Sequence, residues 1–249
     1  MTGEAALVTG GARRIGRAIS LALHRAGYAV AIQTNRSVAE GTALRDEIVR
    51  AGGRAAVVRA DLAQPASVTG LIHAAVEAAG PLSLLVNNAA TFEPDAIGAL
   101  DAARFDRQFA VNLRAPVFLS EAFAAQAGEG ASIVNILDQR VFKLTPHFVS
   151  YTLAKSALHA ATRMLAQALA PKVRVNAVAP GPTMPSARQD AGDFARQAAA
   201  VPLGHGPTPE EVAAAVTYLA SARSITGTTL IVDGGQHLAW QTPDAITKE

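Results

Sequence analysis

The chain has 249 residues, 50% of them hydrophobic, 17% charged and 5% aromatic, which suits one large α/β domain or at most two small ones and excludes a disordered or collagen-like chain. Its 22 basic and 20 acidic residues leave a net charge of +2, scattered rather than clustered, so composition gives no footprint for a nucleic-acid partner. It contains no cysteine, which removes disulfides, thiolate metal sites and a cysteine nucleophile from consideration.

Residues 5–9 are a short apolar run that ends at Gly10 and Gly11. Apolar residues then recur at helical spacing over 14–26 (Ile15, Ile19, Ala22, Leu23, Ala26) and stop at Gly27. A strand at 28–33 is followed by an amphipathic helix over 38–51, closed by Gly52 and Gly53. Next come a strand at 55–59, a helix over 66–79 between Pro65 and Gly80, and a short buried strand at 82–86. A long helical region over 100–127 precedes a strand at 132–137. The remainder reads as a helix over 150–170, a strand at 173–177, a helix over 210–222 and a last strand at 229–232.

About seven strands separated by helices predict a doubly wound parallel sheet with helices on both faces. The strands are continuous apolar runs, as a sheet buried on both faces requires. No linker divides the chain, so one domain over 1–249 is expected. Residues 182–209 hold Pro182, Pro185, Pro202, Pro207 and Pro209 around a short helix at 187–200 and read as a substrate loop. The polar tail at 239–249 either lacks order or packs on another subunit. No signal-peptide pattern and no run of about 18 apolar residues is present, so no membrane partner and a cytoplasmic location are expected.

The first strand–helix junction reads Thr9-Gly10-Gly11-Ala12-Arg13-Arg14-Ile15-Gly16. Glycines there allow a tight turn and a close backbone approach to a pyrophosphate at the helix N-terminus. The spacing T-G-x-x-x-x-I-G resembles the short-chain dehydrogenase/reductase family, in which glycine usually stands in place of Arg14. Two guanidiniums on the loop suit a phosphorylated cofactor. A cofactor without a 2′-phosphate calls for a carboxylate about 20 residues beyond the loop. The chain offers Gln33-Thr34-Asn35-Arg36-Ser37 there instead, so NADP(H) is expected in preference to NAD(H).

The resemblance covers nearly the whole chain and implies a Rossmann-type fold. It implies that Asp61, followed by Leu62, meets the adenine, and that Asn88-Ala89-Ala90 follows the fourth strand along the cofactor. It implies that Asn112 holds a proton-relay water, and that Pro180-Gly181 lies beside the nicotinamide with Thr183 within reach of a phosphate. Val232-Asp233-Gly234-Gly235 is a typical family ending.

Tyr151 and Lys155 stand four apart at the start of a helix, on one face. A free tyrosine, with a pKa of roughly 10, is a poor acid–base group at neutral pH. A nearby ammonium and an oxidised nicotinamide would favour phenolate, so a lowered pKa is expected for Tyr151. The family places a serine 13 residues before the tyrosine, where this chain has Asp138. An aspartate there donates only when protonated; otherwise it accepts from a ring or amine donor. The plainer alternative makes it a strand-end residue capping a turn, with Arg140, in a degenerate enzyme.

Arg13-Arg14, Asn35-Arg36-Ser37, Asp138 and Asn88-Ala89-Ala90-Thr91-Phe92 together resemble the pteridine reductase branch, including bacterial dihydromonapterin reductases. That resemblance implies 2′-phosphate binding by the loop arginines with Arg36 and Ser37, stacking of a pterin on Phe92, and proton delivery by Asp138 with Tyr151. For Phe92 the alternative is lining for any apolar substrate. For the protein the alternatives are a reductase of 3-oxoacyl thioesters or other ketones, and a non-catalytic NADP-sensing protein. The histidines show no metal-ligand spacing, so no metal is expected. The family commonly forms tetramers, and the alanine-rich helices at 100–127 and 150–170 predict a homotetramer here.

Overall fold

A computed structural model of the protein describes residues 4–186 and 188–240. Among the described residues, seven strands form one parallel sheet in the order β3-β2-β1-β4-β5-β6-β7. They are β1 (Ala5–Val8), β2 (Ala29–Thr34), β3 (Ala55–Arg59), β4 (Leu82–Asn87), β5 (Ala131–Ile136), β6 (Val173–Pro180) and β7 (Thr229–Val232). Every residue of β1, β2, β5 and β6 is buried, which is why these segments carry no polar–apolar alternation.

Helices α1 (Arg14–Arg25), α2 (Val38–Arg50) and α8 (Pro209–Ser221) cover one face through Ile19, Leu23, Leu44, Ile48, Val212 and Val216. Helices α3 (Pro65–Ala79), α5 (Ala115–Gln126) and α6 (Val149–Leu169) cover the other through Leu71, Ile72, Leu119, Phe123 and Ala166. The sheet order reverses between β1 and β4, so the loops after these strands diverge and leave a crevice at their C-terminal ends.

Three predicted elements differ by more than one residue. The helix expected over 100–127 is two: α4 (Ala102–Phe109), started by the Asp101 carboxylate accepting from Arg104 N at 2.8 Å, and α5, joined by a π turn at Ala110–Arg114. The sixth strand runs to Pro180 instead of 177, because β7 continues to pair with it through Val232. The loop helix expected at 187–200 is α7 (Ala191–Ala199), capped by Asp190, which accepts from Asp193 N at 2.7 Å. Residue 187 and the part of the predicted tail beyond 240 lie outside the described residues. No helix among the described residues is long and apolar enough to cross a membrane.

Candidate active site

The crevice is a cleft of about 680 Å³. Its floor is the loop between β1 and α1. Thr9 ties that loop to the end of β4, its hydroxyl accepting from Asn88 N at 2.9 Å and Ala89 N at 3.0 Å. The Asn88 amide returns two bonds, to Thr9 O at 2.9 Å and Gly10 O at 3.2 Å. Gly10 has φ +60°, and a Cβ there would lie 3.0 Å from Ala89 Cα, so a side chain at this turn would press on the segment after β4. Gln33, buried at the end of β2, accepts from Gly10 N at 2.8 Å and donates to Ala60 O at 2.8 Å.

Two helix N-termini open here without side-chain caps: α1, preceded by Arg13 and with no acid in its first turn, and α2, preceded by Ser37. Unfilled N-terminal amides are acceptor-seeking groups suited to phosphate oxygens. Arg13 is held only loosely, 3.7 Å from Glu40, and Asn35, Arg36 and Ser37 complete this end of the cleft. Asp61 and Leu62 line the wall beyond.

The opposite end is built on β5 and α6. Asp138 leaves β5 with both carboxylate oxygens engaged. Oδ1 accepts from Arg140 N at 2.8 Å and caps the turn Gln139–Val141, while Oδ2 accepts from the Tyr151 hydroxyl at 3.1 Å. The turn-capping and site readings of this residue therefore hold together. Lys155, buried one turn along α6, donates to Ile136 O at 2.6 Å.

Burial pushes the Tyr151 phenol well above its ordinary pKa, and the Asp138 carboxylate adds to the effect by charge and hydrogen bond. Burial lowers the Lys155 ammonium to about 8, against the opposing pull of Asp138. Phe92 stacks on Phe148 with centroids 4.3 Å apart and meets Tyr151 edge-on at 4.7 Å. The Arg140 guanidinium sits 5.3 Å and 5.1 Å from the two phenylalanine rings.

Tyr151 owes its place to a strut. Phe148 starts α6 in a left-handed conformation, φ 58°, with no cap of its own. The cap comes from 55 residues away, where the buried Asp95 carboxylate accepts from Ser150 N at 3.2 and 3.3 Å and also from the Ser150 hydroxyl. Phe148 N also donates to Asp95 O at 2.8 Å.

A family profile described as Enoyl-(Acyl carrier protein) reductase matches residues 10–237. The chain belongs to the short-chain dehydrogenase/reductase family. Among solved structures it is similar to FolM alternative dihydrofolate reductase 1 from Brucella suis in complex with NADP. That match has 53% identity and a TM-score of 0.95, and it covers 98% of this chain and 99% of the other. It is 34% identical to pteridine reductase 1 of Leishmania tarentolae, over 95% of this chain and 97% of the relative. An uncharacterized oxidoreductase of Methylorubrum extorquens is 37% identical over 94% of this chain and 98% of its own length. These similarities carry the resemblance to the pteridine reductase branch.

The cleft brings together most of the expected residues of a short-chain reductase: Gly10, Arg13, Arg14, Ile15 and Gly16; Asn35, Arg36 and Ser37; Asp61 and Leu62; Asn88, Ala89 and Ala90; and Phe92, Asp138, Tyr151, Lys155, Pro180 and Gly181. One expectation changes, and three residues make contacts that the sequence did not suggest. The lowered pKa read into Tyr151 is a raised one, because burial and a carboxylate act on the phenol while Lys155 turns to Ile136 O.

Arg14 lines the cleft, but its guanidinium donates to Pro185 O at 2.8 Å and Met184 O at 3.2 Å, reaching the substrate loop. Its backbone has φ 52°, the conformation that the family's usual glycine serves. Thr183 lies in the adjoining cavity with its hydroxyl turned to Gly181 O at 3.0 Å. Asn112, fully buried in the π turn, spends its amide on Thr91 N at 3.0 Å, Thr91 O at 2.9 Å and Gln108 at 3.0 Å, leaving Val111 as the cleft wall.

Sequence reasoning assigned no site role to Gln33, Asp95 or Ser150. Gln33 had a signal, as a polar residue in an otherwise apolar strand. Asp95 had none, since its partner is remote in sequence.

Proposed function

We propose that the protein reduces a pterin or dihydropterin with NADPH. The observation that carries the reading is Asp138, whose carboxylate lines the cleft and accepts from the Tyr151 hydroxyl at 3.1 Å. A serine at this place can donate to a ketone oxygen. An ionised carboxylate cannot donate, and its charge opposes a developing alkoxide. The amino and N–H edge of a pterin supplies donors that a carboxylate can accept, and Phe92 offers the flat ring a wall.

The cofactor end of the cleft fits NADP(H): two uncapped helix N-termini, Arg13, Arg36 and Ser37, and no carboxylate at the end of β2. The similar Brucella suis structure is a complex with NADP, which supports the same choice. When bound, the reduced nicotinamide supplies a hydride to one carbon of the substrate's ring. Tyr151 gives the matching proton from its hydroxyl to the adjacent ring nitrogen. Asp138 keeps that phenol in its acid form beforehand. The Asp138 side chain is 18% exposed, so it can reload the phenol with a proton from solvent. Lys155, 5.9 Å from the Tyr151 ring, steadies the phenolate formed in between.

The functional unit is a homotetramer in this reading. Exposed apolar side chains on α5 (Phe118) and α6 (Leu153, Met164) support it, as surface that a second copy can cover. A cytoplasmic location goes with a reductase that draws on NADPH.

Tyr151→Phe tests the mechanism. Pterin-dependent NADPH oxidation should fall by at least about a hundredfold, the usual scale of a lost general acid, while NADPH binding stays nearly unchanged. Surviving turnover contradicts the mechanism. A wild-type protein that binds NADPH yet turns over no substrate favours the non-catalytic alternative.

A further inference from the structure

Next to the main cleft, and sharing Phe92, Asp138, Tyr151, Arg14 and Arg188 with it among its walls, lies an outer cavity of about 480 Å³. A bicyclic ring stacked on Phe92 would fill the shared wall and leave the outer space to whatever hangs from that ring. Among the described residues its lining carries three guanidiniums, Arg14, Arg140 and Arg188, against one carboxylate, Asp138. That carboxylate is already used: it accepts from Tyr151 and stands 3.6 Å from Arg140.

The other two cations are held by neutral groups. Arg14 donates to main-chain carbonyls of the substrate loop, and Arg188 donates to Phe92 O with its guanidinium 5.8 Å from the Phe92 ring. The acidic residues nearest in sequence are turned away, Glu93 to Arg104 and Asp190 to the first turn of α7. The cavity therefore has an excess of positive charge inside a partly enclosed space, where a charged partner gains more than it would in open water.

Resting on the pterin reading above, we propose that Arg188, with Arg14 behind it, selects substrates whose tail carries an anionic group, a carboxylate or a phosphate. Arg188 is a specificity-determining residue in this account. It meets the tail at the cavity mouth, while the reacting ring is held by Phe92 and Asp138. Its bond to Phe92 O and its place 5.8 Å from the Phe92 ring keep the cation beside the aromatic wall.

The test compares kcat/KM for three dihydropterins with NADPH: 7,8-dihydrobiopterin, whose tail is neutral; 7,8-dihydrofolate, which ends in carboxylates; and 7,8-dihydroneopterin 3′-phosphate. The readout is the ratio of an anionic to the neutral substrate in one protein sample, so a variant of altered stability remains informative. The wild type should favour at least one anionic substrate by about tenfold, the scale of one charge-assisted contact, and the carboxylate and phosphate arms show which anion it is. Arg188→Met should erase the ratio, Arg188→Lys should keep most of it, and added salt should lower it in the wild type but not in Arg188→Met.

A wild-type ratio near one, or a ratio unchanged in Arg188→Met, overturns the inference while leaving pterin reduction intact. Failure of all three pterins as substrates overturns the pterin reading and this inference with it.

Discussion

Asp138 binds in two directions, to the Arg140 amide at 2.8 Å and to the Tyr151 hydroxyl at 3.1 Å, and so fixes the turn after β5 and the acid on α6 together. Its charge sets two titrations. It holds the Tyr151 proton on, and it raises Lys155 against the larger effect of burial, which brings the ammonium down to about 8. Because kcat/KM reports the free enzyme, the profile for NADPH should lose activity above about pH 8 as Lys155 gives up its charge, with no limb from Tyr151.

Asp138→Asn removes the charge that raises Lys155, so the limb should move to lower pH and kcat should drop by about a hundredfold. A limb that stays in place, or moves up, contradicts the assignment. The same residue enters stability with a definite sign. Between about 8 and 10.5 the unfolded chain keeps a proton on this lysine that the folded chain has released, so the Lys155 contribution to stability rises with pH over that window. Tyr151 and Lys155 were legible in the sequence because their relation is local, four residues on one helix. The direction of the Tyr151 shift was not, because burial is set by the chain segments packed around it.

At the scale of elements, α6 carries the acid but does not cap itself. The buried carboxylate of Asp95 does so through Ser150, the residue before Tyr151, and Asp95 follows Phe92 closely in the same loop. One strut thus sets the distance between the aromatic wall and the acid. Asp95→Ala should lower kcat on a pterin by about tenfold or more through misplacement of Tyr151, with KM for NADPH little changed, and Asp95→Asn should recover part of the loss. Equal losses in NADPH affinity and kcat would mean that the residue only supports folding.

The sequence placed every strand near its position, since buried parallel strands are continuous apolar runs. It missed the π turn at Ala110–Arg114, which keeps the helical periodicity of its neighbours and differs only in hydrogen bonding. It also missed the link from Arg14 to the loop at Met184 and Pro185, which only the closed fold brings together.

For the whole molecule, the sheet reversal between β1 and β4 decides where the site lies, and the two uncapped helix N-termini beside the cleft decide what charge it receives. The proposed tetramer belongs to this scale. Light scattering at micromolar concentration should give four times the 25.6 kDa chain, and a monomer would contradict it.

The most direct measurement is NADPH oxidation by the purified wild-type protein with 7,8-dihydrobiopterin and 7,8-dihydrofolate, beside an acetoacetyl thioester and with NADH as the cofactor control. Turnover of at least one pterin with NADPH, with little from NADH and none on the thioester, is the result the account predicts. Turnover on the thioester alone would contradict it, because a carboxylate at Asp138 would then be serving a ketone.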